Sequence, residues 1–90
     1  MKIRFCANQH YALNPEEEYA DVYAEFDVAE VPTKEQCSSM EDYIADAMEK
    51  YSDENDGDFC DFNYFACCKE ACIKHGVKIV DNPVVATIYI

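Results

Sequence analysis

Apolar and polar side chains alternate from the start of the chain. Ile3, Phe5 and Ala7 fall on one face and Lys2, Arg4 and Cys6 on the other, which predicts a strand over residues 1–7. Residues 8–18, with Asn14-Pro15, predict a connecting loop. A longer alternation follows over residues 19–29. Ala20, Val22, Ala24, Phe26 and Val28 share one face, and Tyr19, Asp21, Tyr23, Glu25 and Asp27 share the other, as in a half-buried antiparallel strand. The period then changes to that of a helix. Thr33 is its expected cap, with Gln36 as the reciprocal partner three residues on. Cys37, Met40, Ile44, Ala47, Met48 and Tyr51 form an apolar stripe, opposite Glu35, Glu41, Asp42, Asp46 and Glu49.

The residues 52–58 read as a hydrophilic loop bending at Gly57, and residues 59–75 as a second helix, apolar around most of its girth and stopped by Gly76. Residues 77–80 predict a short strand, Asp81-Asn82-Pro83 a turn, and residues 84–90 a β-branched strand. The expected architecture is a single α+β domain of order β-β-α-α-(β)-β. A small antiparallel-type sheet of three to four strands would carry two helices packed on one face.

Composition fits that plan. Half of the 90 residues are apolar and seven Tyr and five Phe are present, enough for a packed core. No apolar run approaches the roughly 20 residues of a membrane span. The N-terminal segment turns polar by Asn8, too early for a signal-peptide core, so a cytoplasmic location is expected. In that compartment the six cysteines are expected to be free thiols, mostly buried.

Charge changes the picture most. Seventeen of the nineteen acidic residues lie between Glu16 and Asp61, opposed only by Lys34 and Lys50, so this block carries −15 of a net −12, with +2 before it and +1 after it. A field of one sign argues against direct nucleic-acid binding and attracts basic surfaces. Surfaces built only for solubility normally mix the signs. Along the second strand, Asp21, Glu25 and Asp27 form a stiff row of carboxylates interleaved with Tyr19 and Tyr23, with alternate side chains about 6.6 Å apart.

Other chemistry finds less support. Aligning Gly57 with the sixth position of a calcium loop leaves Ser52 and Asn63 where Asp and a bidentate Glu are needed. Cys68, Cys72 and His75 share one side of the second helix, but no C-x-x-C knuckle accompanies them, and packing against the sheet accounts for small soft side chains there. No metal or cofactor is expected. A nucleophilic cysteine needs a base, and His10 and His75 are the only histidines. With two glycines there is no phosphate-cradling loop, so the chain is not expected to be an enzyme.

In its size, its acidic rows at 16–30 and 41–58, the tyrosines between them and the lack of a catalytic constellation, the chain resembles the small acidic inhibitors of bacteriophages and mobile elements, the anti-CRISPR and anti-restriction proteins. The resemblance implies a nucleic-acid mimic in the bacterial host cell, one that sterically blocks a basic groove on a CRISPR effector or other nuclease complex. Asp21, Glu25, Asp27, Glu41, Asp42, Glu49, Asp53, Glu54 and Asp56 would then meet Lys and Arg, with Tyr19 and Tyr23 as central anchors. The alternative is a small non-catalytic adaptor whose acidity serves solubility. Its strand over 19–29, or the C-terminal strand, would pair with a second copy as a homodimer.

Overall fold

A computed structural model describes residues 1–11 and 19–80. The α+β plan holds. Strands β1 (Lys2–His10) and β2 (Tyr19–Asp27) are followed by helices α1 (Lys34–Glu54) and α2 (Tyr64–Lys74). The strands pair antiparallel, with Lys2 opposite Asp27 and His10 opposite Tyr19. Among the described residues the sheet has two strands, fewer than the three to four expected. The short strand expected at 77–80 reduces to one antiparallel bridge, Ile79 to Val28, where β2 has already ended. It is flanked by Ala29 N–H donating to the Lys78 carbonyl and Val80 N–H donating to the Asp27 carbonyl, both at 3.0 Å. The strand expected over 84–90 lies outside the described residues.

The inward face of β2 is the core. Val22, Ala24, Phe26 and Val28 are almost wholly buried, together with Met40 and Ile44 of α1 and Tyr64, Cys68, Ala71 and Cys72 of α2. Phe26 stacks on Phe65 with ring centres 4.9 Å apart and meets Phe5 edge-on at 5.9 Å. A second aromatic group, Tyr51, Phe59 and Phe62, closes the far end, with centroid separations of 5.0 to 5.7 Å. Both helices thus lie on one face of the sheet, and among the described residues the other face is bare.

Several boundaries move, each for a local reason. β1 continues through Asn8, Gln9 and His10 because these polar residues find partners. Asn8 Nδ2 donates to Asp21 Oδ1 at 2.9 Å, His10 packs on the Tyr19 ring at 4.9 Å, and Gln9 turns inward and is fully buried. The capping box at Thr33 forms as expected. Thr33 Oγ1 accepts from Gln36 N–H at 3.1 Å, and Thr33 N–H donates to Gln36 Oε1 at 2.9 Å. Gln36 Nε2 also donates to the His75 carbonyl at 3.0 Å, which ties the start of α1 to the end of α2.

α1 runs on through Ser52, Asp53 and Glu54, residues expected to be loop. Its closure explains this: Gly57 N–H donates to the Ser52 carbonyl at 2.8 Å, with Asp56 in the left-handed region at φ 54. α2 starts at Tyr64 and not at Phe59, since Asn63 Oδ1 caps it by accepting from Ala66 N–H at 2.9 Å. Phe59 N–H meanwhile donates to the His10 carbonyl at 2.9 Å. At the other end Gly76 (φ 74) lets Val77 N–H reach the Cys72 carbonyl at 2.9 Å. α2 is buried along one stripe rather than around its girth, with Ala66, Lys69, Glu70, Ile73 and Lys74 exposed. All six cysteines are free, but only Cys68 and Cys72 are buried. Cys6 looks out from the bare sheet face and Cys37 from the first turn of α1.

Candidate protein-binding surface

The bare sheet face holds Tyr19, Asp21, Tyr23, Glu25 and Asp27 in one row, as expected, but the register gives each a neighbour on β1. These are His10, Asn8, Cys6, Arg4 and Lys2 in turn. Arg4 Nε donates to Glu25 Oε1 at 2.8 Å, and Nη2 reaches the same oxygen. That hydrogen bond and the guanidinium charge hold the Glu25 carboxyl below its usual range and push Arg4 up. The Arg4 guanidinium also sits 5.3 Å from the centre of the Tyr23 ring. Three carboxylates against Lys2 and Arg4 leave this face close to neutral. Alternation within each strand reveals the faces but not the register between strands, so the compensation was not legible.

The stronger field comes from α1. Glu35, Glu41, Asp42, Asp46, Glu49, Asp53 and Glu54 are all exposed, against only Lys34 and Lys50, a formal −5. The 21 residues of this helix span about 31 Å at about 1.5 Å per residue. Duplex DNA of that length carries about 18 negative charges, so α1 is less than a third as dense. Its last turn contains no basic residue. Asp53 and Glu54 stand at the negative end of the helix dipole, with Asp56 just beyond, an arrangement costing about 0.3–1 kcal/mol per charge.

The expected binding residues therefore form separate groups. Asp42 and Glu49 lie on the outer side of α1, Asp53, Glu54 and Asp56 at its end, and Glu41 on the side turned toward β1. The core side of α1 faces the inner side of the sheet, so its outer carboxylates and the β2 row leave the molecule on opposite sides.

Sequence reading missed an apolar groove between β1 and α1. One part, about 300 Å³, is lined by Ile3, Arg4, Phe5, Val31, Pro32, Cys37, Met40 and Glu41. A second part, about 270 Å³, shares Arg4, Phe5 and Glu41 and continues along Cys6, Ala7, Ile44, Ala45, Met48 and Tyr64. It requires α1 to lie against β1, a tertiary fact with no local signal.

Three thiols of α2 are poor nucleophiles. Burial pushes Cys67 and Cys72 up to about 11, and Cys68 higher still, so all three are protonated at neutral pH. Cys68 and Cys72 point into the core, while His75 ends α2 beside the Tyr43 ring at 6.1 Å. Among the described residues no three His, Cys, Asp or Glu side chains gather where they could hold a metal ion. Among the same residues no helix is long and apolar enough to cross a membrane. Comparison with protein-family models, with curated proteins and with solved structures gives no match to this chain.

Proposed function

We propose that the chain is a non-catalytic acidic inhibitor that acts in the bacterial cytoplasm. It binds a basic nucleic-acid-binding groove on a defence nuclease complex, a CRISPR effector or another nuclease, and excludes the nucleic acid as anti-CRISPR proteins do. The observation that carries this is the end of α1. Asp53 and Glu54 occupy its last turn with no basic residue, and Asp56 follows in a left-handed conformation. Each feature weakens the helix, and none is needed for solubility in a chain of net −12. Local rules broken at a cost to stability point to function.

The mechanism is exclusion. The outer carboxylates of α1 meet Lys and Arg of the groove, which makes association fast and salt-sensitive. Their density is well below that of duplex DNA, so the bulk of the helix blocks the groove as much as its charge does. The chain is titrated against nuclease complexes loaded with labelled DNA at about 50 and about 200 mM salt. Release of DNA that weakens steeply at the higher salt is expected. Release indifferent to salt, or none from any complex, refutes the proposal.

The adaptor reading keeps one supporting observation, the outer edge of β1, which from Lys2 to Asn8 has no backbone partner among the described residues. A dimer joined through that edge survives high salt in sedimentation, whereas charge-driven complexes dissociate.

A further inference from the structure

The carboxylates of α1 are not spread around the helix. At about 3.6 residues per turn, Glu35, Asp42, Asp46, Glu49 and Asp53 fall within an arc of about 60°, and all five are exposed. Met40 and Ile44 lie across the helix from them and are buried in the core, so the arc faces directly outward. The helical rise sets the spacing. Asp42, Asp46, Glu49 and Asp53 follow one another at about 4.5 to 6 Å along the axis, and Glu35 stands about 10.5 Å before Asp42, close to two such steps. Among the described residues none of the five is held in an ion pair. Lys34 and Lys50 stand roughly 80° to either side of the row.

Neither flank carries a second acidic row. On one side α2 packs against Tyr43, whose ring centre lies 5.3 Å from Lys74 Nζ, and α2 exposes Lys69 and Lys74 against Glu70. On the other side α1 carries Glu41, and Arg4 lines the same groove. Among the described residues the outward charge of α1 is therefore a single line, one helix wide. Duplex DNA offers two lines of phosphates, each with one charge per about 3.4 Å of axis. One line with wider gaps has instead the outline of a single strand drawn out of its stack, and grooves for such strands track that one backbone with cations. We infer that the basic groove entered by α1 is one built for a single strand and not for a duplex. Lys and Arg placed for successive phosphates meet successive carboxylates of the row, while Lys34 and Lys50 lie off the line of contact. The inference rests on the inhibitor reading proposed above and names the kind of groove that is blocked.

The test uses the full chain and RNA-guided nuclease complexes, which hold duplex on one surface and a displaced single strand in another groove. Each complex is loaded in one preparation with a labelled single strand and in another with a labelled duplex of the same sequence. Half-release of the single strand is expected at a chain concentration at least about tenfold below that for the duplex. Ala45→Asp with Asp46→Ala swaps two exposed neighbours. The swap keeps composition and net charge but carries one carboxylate about 100° round the helix, off the row. It should raise the half-release concentration for the single strand about fivefold. Equal release of the two probes, or earlier release of the duplex, overturns the inference while leaving the acidic inhibitor standing. A folded swap variant as potent as the parent also overturns it, since net charge alone then accounts for release. The preference between probes is read on the unchanged chain, so it decides the matter even where the variant does not fold. No release of either probe from any complex overturns this inference and the inhibitor reading together.

Discussion

Among the described residues Gln9 is the one whose buried side chain leaves a polar atom without a hydrogen bond. It is fully buried, its Oε1 accepts from the Tyr11 hydroxyl at 2.7 Å, and its Nε2 has no hydrogen-bond partner among the described residues. A buried unsatisfied amide donor costs about 1–3 kcal/mol. Gln9→Met keeps the length of the side chain and removes that donor. It also gives up the Tyr11 bond, a loss of about 1 kcal/mol. The balance favours the variant by up to about 2 kcal/mol. For a 90-residue domain each kcal/mol moves Tm by about 5 °C, so thermal unfolding should rise by up to about 10 °C. Gln9→Glu, which places a charge in the same space, should be strongly destabilised at pH 7 and should recover as the pH is lowered toward protonation. Calorimetric unfolding reads all three chains. A lower Tm for Gln9→Met would mean that Nε2 is hydrogen-bonded in solution, and the bookkeeping would be wrong.

Three further outcomes are expected. Thr33→Ala removes one half of the capping box and should cost about 1 kcal/mol in chemical unfolding; no change would mean that the box contributes nothing. Asp53→Asn with Glu54→Gln should raise stability by about 0.3–1 kcal/mol per charge removed, through the helix dipole, while weakening release of nucleic acid from a target. A parallel loss of both properties would contradict a functional role for these charges. The third outcome concerns alkaline pH. Unfolded thiols ionise near about 8.5, but in the fold burial holds Cys67 and Cys72 protonated up to about 11. The folded state then binds more protons than the unfolded state in this window, so stability falls as pH rises. Unfolding free energy should decline from about pH 8.5 to 11, by at most about 1.4 kcal/mol per pH unit for each thiol, Tm should fall with it, and the decline should flatten in Cys67→Ala with Cys72→Ala. An unchanged slope in that variant would refute the assignment.

Features decided within a few residues were legible in the sequence. The alternation from Tyr19 to Asp27 set both faces of β2, Thr33 and Gln36 marked the start of α1, and Gly76 marked the end of α2. Features decided by distant partners were not. Asn8 and His10 look like loop residues until Asp21 and Gly57 are beside them; the His10 Nδ1 and the Gly57 carbonyl oxygen are 3.2 Å apart across 47 positions of sequence. Ser52 to Glu54 look like loop because three polar residues carry no helical stripe, yet the closure at Gly57 keeps them in α1. The candidate surface divides the same way. Glu35, Glu41, Asp42, Asp46 and Glu49 of α1 could be named from spacing alone, whereas the neutralisation of Glu25 by Arg4 depends on a register 21 residues apart.

The outer side of α1 is the surface proposed to meet a basic partner. Two variants with the same change in net charge isolate it: Asp42→Lys with Asp46→Lys on the helix, and Asp21→Lys with Asp27→Lys on the nearly neutral sheet face. In a titration that follows release of labelled DNA from a nuclease complex at low salt, the helix variant should lose release and the sheet variant should keep most of it. Equal effects, or full release by the helix variant, would contradict the account.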